Sequence, residues 1–158
     1  MKQKIYIETS VISYLVARPS KNIVVAGHQA STKEMWKTLD NYEPFISDIV
    51  IQEASKGDQT FAERRLKELE DFHVLRIDDE AKELAGKLIM GKAIPKKCPE
   101  DALHIAVTAV NGIDIIVTWN FKHINNPFTK MMVRQLIENE GYVCPEICSP
   151  DELLGDEI

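Results

Sequence analysis

Short apolar runs alternate along the chain with longer stretches in which apolar residues recur every three or four positions. The first kind has the length of β strands, the second the period of amphipathic helices. Ile5–Ile7 predicts a strand, and Ser10–Val16 a helix with Ser10 as its N-cap. A polar loop follows from Arg18 to Asn22. Residues 23–41 have helical spacing, with Ile23, Ala26, Ala30, Met35, Trp36 and Leu39 on the expected core face. Pro44–Ser47 reads as a second strand. Asp48 is placed to cap a helix through Ala54, closed by Gly57. Asp58 starts another helix, with Phe61, Leu66 and Leu69 along its stripe.

Val74–Ile77 predicts a third strand, and Asp78 or Asp79 caps a helix carrying Ala81, Leu84, Ala85, Leu88 and Ile89. A proline-bracketed loop, Ala93–Pro99, leads to an apolar helix over Glu100–Asn111, which Gly112 stops. Asp114–Thr118 is an almost continuous apolar run, as expected of a strand covered on both faces. Residues 127–140 are helical, Tyr142-Val143 is the expected start of a last strand, and Ser149-Pro150-x-Glu152 marks a short capped helix. Strands alternating with helices imply an α/β fold, with a mostly parallel central sheet of about four or five strands flanked by helices and joined by right-handed crossovers. No repeat or linker divides the chain, so one domain is expected over residues 1–158.

Polar residues at element ends carry the candidate chemistry. Glu8 sits at the carboxyl end of the opening strand, where α/β sheets place their ligands. Glu53 follows an apolar turn, Asp101 opens an apolar helix, and Asn120 closes a buried-looking strand. Hard cations such as Mg²⁺ and Mn²⁺ take oxygen ligands, and such side chains converging from separate elements would supply them. A cation held this way can orient and polarise a phosphodiester. Each residue taken alone also has a structural reading, Asp101 as a favourable charge at a helix start and Glu53 as a solvated helix residue.

Composition narrows the classes. The chain has 158 residues, 44% hydrophobic and 28% charged, which describes a globular domain with a real core. The net charge of −6 argues against a protein that coats nucleic acid, but not against a nuclease whose acidic cluster is compensated by cations. No run approaches the roughly 18 apolar residues of a membrane span. Lys2 and Lys4 precede an apolar stretch, but Glu8 interrupts it and no small-residue cleavage site follows, so it reads as a strand rather than a leader. Three cysteines without a metal-binding spacing point to reduced thiols and a cytoplasmic location.

The local sequence around these positions resembles the PIN-domain family, in particular its VapC-type toxin-like ribonucleases. Ile5-Tyr6-Ile7-Glu8-Thr9-Ser10 looks like the family's hydrophobic strand followed by Asp-Thr-Ser. Ile46-Ser47-x3-Ile51-x-Glu53 looks like its Ser-to-Glu element, Pro99-Glu100-Asp101-Ala102 like its Asp-Ala helix, and Thr118-Trp119-Asn120 like its Thr-x-Asp strand end. The four segments run in family order over residues 5–121. The resemblance implies a three-layer α/β sandwich that is often dimeric, hydrolyses RNA with Mg²⁺ or Mn²⁺, and is held silent by a cognate antitoxin. Glu8, Glu53 and Asp101 would be the acidic ligands, or Glu53 would instead orient the attacking water, with Asn120 completing the site through its amide oxygen. Two positions depart from the family: Glu8 stands where Asp is usual, and Asn120 where a fourth Asp is common. With one negative charge fewer, one firm cation is expected rather than two.

Other polar residues admit two readings each. Ser10 either caps the first helix or binds a metal water, and Thr118 either bonds the strand end or supports the ligands. His104 lies one turn after Asp101, as a phosphate contact or as a satisfied half-buried histidine. Arg18, Lys21, Lys96, Lys97 and Lys122 with His123 are the basic residues nearest the proposed site. Trp119 reads as core or base-stacking residue, and Trp36 as core or dimer interface. Cys98 has no adjacent histidine in sequence and is not expected to be a nucleophile. Besides the ribonuclease reading, the departures allow a weakened PIN-like module that binds a partner or nucleic acid without cutting. A hydrolase of another phosphoester is the third reading.

Overall fold

The computed structural model describes residues 1–155. Its elements in chain order are β1 Lys4–Ile7, α1 Thr9–Val16, α2 Ile23–Trp36, β2 Glu43–Ser47, α3 Asp48–Ala54 and α4 Gln59–Leu69. They continue with β3 His73–Leu75, α5 Asp79–Met90, α6 Pro99–Val110, β4 Ile115–Val117, α7 Pro127–Asn139, β5 Glu146–Cys148 and α8 Pro150–Leu154. The five strands form one sheet in the order β3-β2-β1-β4-β5, and every pairing is parallel. The expected flanked parallel sheet is therefore present.

β1 lies at the centre, with Tyr6 opposite Phe45 of β2 on one side and Ile116 of β4 on the other. A central parallel strand is covered on both faces, which is why Ile5, Tyr6 and Ile7 are all fully buried instead of alternating. Val11, Ile12, Ile46, Val50, Ile105, Val107, Ile116 and Val117 complete the core around them. α1 packs on α2, α3 and α4, α6 packs on α5, and α5 on α7. Strand order reverses direction between β1 and β4, so the crevice beyond their carboxyl ends is the place where such a fold takes a ligand.

Several boundaries differ from the sequence expectation. Ser10 does not cap α1. The helix starts at Thr9 with the backbone of Glu8 in the cap position, and the Ser10 hydroxyl turns elsewhere. α2 stops at Trp36, and a single 3-10 turn, Leu39–Asn41, follows. The face of α2 that packs inward holds Gln29, Thr32 and Met35, while Ile23 is 88% exposed. The apolar stripe misleads here because two polar residues have partners inside. Gln29 Nε2 donates to the Arg18 carbonyl, and Thr32 Oγ1 accepts from Trp119 Nε1. Ser47, not Asp48, caps α3, and Asp48 accepts from the Ile77 N–H instead. The last strand is not at Tyr142-Val143. Val143 is 84% exposed, and β5 begins only after Pro145, which has no N–H to give a ladder.

Candidate functional site

Glu8 leaves the end of β1 into the protein interior and is only 5% exposed. Its Oε1 accepts from the hydroxyls of Ser10, two residues on, and Thr118, 110 residues on, so one oxygen of this buried carboxylate is fixed by one local and one distant donor. Both donors are themselves held. Ser10 Oγ accepts from the Trp119 N–H at 2.8 Å, and Thr118 Oγ1 from the Asn120 N–H at 2.9 Å. Glu8 Oε2 has no hydrogen-bond donor among the described residues and lies 4.0 Å from His104 Nε2.

Glu53 comes from α3 and faces the same space. Its Oε1 accepts from Thr9 Oγ1 at 2.6 Å and is 2.7 Å from His104 Nε2. Burial pushes its carboxyl pKa up. The His104 hydrogen bond and charge, the Thr9 hydroxyl and nearby Lys56 outweigh that and hold it below the ordinary value. The two glutamates share one design, with one oxygen anchored by protein donors and the other left open.

His104 connects this pair to the core. It is fully buried on α6, with Nε2 on Glu53 and Nδ1 2.7 Å from Tyr6 Oη. Tyr6 Oη is also 2.8 Å from Ser47 Oγ, which caps α3. Burial disfavours the imidazolium, but the Glu53 hydrogen bond and the charges of Glu8, Glu53 and Asp101 prevail and raise the His104 pKa. Tyr6 is driven the same way for a different reason. Burial, with the charges of Glu8 and Glu53, keeps its hydroxyl protonated. His104 thus occupies both nitrogens inside the protein, a position without access to a substrate phosphate.

Asp101 belongs to an adjoining cluster. Its Oδ1 accepts from Asn120 Nδ2 at 3.3 Å, and its Oδ2 lies 3.1 Å from His123 Nδ1. Asn120 Oδ1 accepts the His123 N–H at 3.0 Å, so this amide turns its NH₂, not its oxygen, toward Asp101. Flipping the amide would set NH₂ against N–H and oxygen against carboxylate, so the two interactions fix the orientation. Burial raises the Asp101 pKa, and the charge of Glu8 adds to that against the pull of His104 and His123. On the far side of His123, Nε2 is 3.9 Å from Cys98 Sγ. Cys98 therefore does have a histidine neighbour, one that folding supplies from 25 residues away.

The four residues predicted to meet are thus arranged as two neighbouring groups, Glu8 and Glu53 around His104, and Asp101 with Asn120 and His123. Glu8 and Glu53 have ligand atoms within 4.8 Å of each other and of His104, whereas Asp101 groups with Cys98 and His123. The carboxylate oxygens of Glu8, Glu53 and Asp101 are of the type that hard divalent cations take. Thr118 and Ser10 hold Glu8 instead of facing a substrate. Arg18 is exposed, with its guanidinium 5.5 Å above the Phe61 ring, in a concavity shared with Lys56 and Arg65. A second concavity, lined by Lys92, Lys96, Lys122 and His123, opens beside Asp101. Trp119 is core, stacked on His28 at 4.1 Å. Sequence reasoning missed the Thr9 bond to Glu53 and the Tyr6–His104 link. Thr9 follows Glu8 directly, but the Tyr6 link depends on strand register that no local pattern reveals.

No helix among the described residues is long and apolar enough to cross a membrane. No curated protein sequence matches the chain closely enough to count as a relative. Among solved structures, the chain is similar to VapBC2 from Rickettsia felis, crystallised bound to a DNA fragment from their promoter. The TM-score is 0.58 at 14% identity, over 93% of this chain and 98% of that one, a likeness of fold. The PIN domain model matches residues 5–127, which contain all of β1 but Lys4, the whole of α3, α6 and β4, and every residue of both clusters. The chain belongs to the PIN-domain family.

Proposed function

We propose that the chain is a metal-dependent endoribonuclease, using Mg²⁺ or Mn²⁺ in the cytoplasm, and the toxin half of a toxin–antitoxin pair. The observation that carries this reading is the matched pair Glu8 and Glu53, each with one oxygen anchored and one open, beside Asp101 in a member of the PIN family. A bound cation would supply polarisation of the phosphodiester and an activated water. The chain's own residues prepare the place. Ser10 and Thr118 orient Glu8, Thr9 and His104 orient Glu53, and Asn120 with His123 holds Asp101. Basic side chains line two concavities, Arg18, Lys56 and Arg65 in one and Lys92, Lys96 and Lys122 in the other, the second sharing His123 with the Asp101 cluster. They offer charge partners to the backbone of an RNA strand in a protein whose net charge is negative. A cognate antitoxin and a second copy of the chain are the proposed protein partners. The fold shared with VapBC2, crystallised on a fragment of its own promoter, supports the first.

Purified chain incubated with RNA should cleave it in Mn²⁺ or Mg²⁺ and stop on chelation. Asp101→Asn should reduce the rate by roughly a hundredfold or more, because a ligand charge next to the reacting phosphate is removed. Cleavage that survives unchanged in that variant would overturn the reading. One observation favours a second reading, a PIN-like module that binds without cutting: Asn120 shows Asp101 a donor where the family commonly has a fourth carboxylate. Absence of Mn²⁺ binding in a calorimetric titration would support that module, and robust metal-dependent turnover would exclude it.

A further inference from the structure

Beside the acidic pair, Cys98, Asp101 and His123 each offer one ligand atom, and these atoms lie within 4.8 Å of one another. We propose that these three residues bind a thiophilic divalent transition metal of the zinc type, and that its binding withdraws Asp101 from the hard-cation site. Zinc bonds of about 2.3 Å to sulfur and about 2.0 Å to nitrogen or oxygen, at tetrahedral angles, set ligand atoms about 3.3–3.5 Å apart. One ligand atom from each residue lies within 4.8 Å of the others, but Cys98 Sγ is 3.9 Å from His123 Nε2 while Asp101 Oδ2 bonds the opposite ring nitrogen, Nδ1, at 3.1 Å. The imidazole must therefore turn to present one nitrogen to a metal shared with both.

The backbone presents the three ligands without long loops. Cys98 occupies the cap position of α6 and Asp101 its first turn, three residues on, which brings both to one end of the helix. His123 is delivered by the turn after β4, and its own N–H is tied to Asn120 Oδ1. All three side chains are partly exposed, open to an ion from solution. The set combines thiolate, imidazole and carboxylate, which suits zinc and cobalt, whereas Mg²⁺ and Mn²⁺ gain little from sulfur. The fourth tetrahedral position remains for water, as in zinc sites with three protein ligands. The other two cysteines are poor alternatives, because burial pushes the Cys144 thiol up to about 11 and the Cys148 thiol to about 12.

The two sites compete through one side chain. Asp101 is the only member of the triad that also stands among the proposed hard-cation ligands. A thiophilic ion would silence the nuclease without touching Glu8 or Glu53, a consequence that rests on the ribonuclease reading above.

Titrating Co²⁺ into the reduced full-length chain tests the site without any activity. A thiolate-to-cobalt charge-transfer band should appear, saturate at one equivalent and vanish on adding Zn²⁺. Cys98→Ser should lose the band, and His123→Ala should weaken binding by roughly tenfold or more. A Cys144→Ser/Cys148→Ser double variant should keep the band, and circular dichroism checks that each variant is folded. No band in the wild type, or a band that persists in Cys98→Ser, overturns the proposal. So does a Cys98 that is rapidly alkylated but gives no band, which would leave a thiol–imidazole–carboxylate row suited to nucleophilic chemistry. In an electron paramagnetic resonance titration, one equivalent of Zn²⁺ should release bound Mn²⁺ from the wild type but not from Cys98→Ser. Mn²⁺ that stays bound beside Zn²⁺ overturns the competition. Failure to bind Mn²⁺ at all counts against the ribonuclease reading and leaves the cobalt result to stand by itself.

Discussion

His104 sits between a phenol and a carboxylate with no exposure to solvent, and its charge state is set by Glu53, Glu8 and Asp101. Its folded pKa is raised above the ordinary 6.5. The stability it contributes is therefore fully present below the unfolded value and is lost as pH rises through the folded one. In metal-free protein, urea midpoints for wild type and His104→Gln should be furthest apart at mildly acidic pH and converge on the alkaline side. A gap that widens with pH would contradict this assignment. A pH-independent part should remain, about 1–3 kcal/mol, because removing the ring leaves Tyr6 or Glu53 short of a buried partner. At this scale the sequence was legible for placement: Glu8, Glu53, Asp101 and Asn120 stand near element ends, after β1, late in α3, at the start of α6 and just beyond β4. It was not legible where partners meet across the sheet. Nothing near His104 in sequence points to Tyr6, 98 residues away, or near Cys98 to His123. The amide orientation of Asn120 was equally hidden, since it depends on a turn three residues long.

Helix ends were read well where the capping chemistry is local. Asp58, Asp78 and Ser149 all accept from the expected N–H groups, and Ser149 with Glu152 forms a complete capping box on α8. Replacing Ser149 with Ala should cost about 1 kcal/mol in denaturant unfolding. Burial raises the Glu152 pKa, but the Ser149 N–H and hydroxyl outweigh it and the folded value is lowered. Its contribution is thus present at neutral pH and is lost as pH falls through that lowered value. A Glu152→Gln variant should accordingly approach wild-type stability in acid. Element reading failed where tertiary structure decides. α2 buries Gln29 and Thr32 because Arg18, Ser20 and Trp119 offer them partners, and β5 starts late because Pro145 interrupts the ladder.

Across the whole molecule, an acidic protein keeps its proposed nucleic-acid contacts in two basic concavities, one holding Lys56 and the other Lys122. A Lys56→Glu/Lys122→Glu double variant should bind RNA more weakly at every sequence. It should also flatten the salt dependence, with a log–log slope reduced by roughly one for each phosphate that a lysine no longer neutralises. Filter binding or fluorescence anisotropy over a salt series measures both, and an unchanged slope would place the RNA elsewhere. The α/β class and the parallel sheet were legible from alternating runs, and the family from four ordered segments. The strand order was not, because hydrophobic periodicity says which residues are buried and not which strand neighbours which.

That order has a consequence in time. β1 is made first yet lies in the middle of the sheet, between β2 and β4. A growing polypeptide can pair it with β2 early, but its other edge waits for Ile115–Val117, and Glu8 waits for Thr118, 110 residues downstream. Pairings of such span form late, after the cost of closing a long loop. Ribosome-bound intermediates that end before β4 therefore carry the first carboxylate without its second hydroxyl anchor, and the crevice closes only when about three quarters of the chain has emerged. The ribonuclease proposed above would thus be kept incomplete for most of its own synthesis.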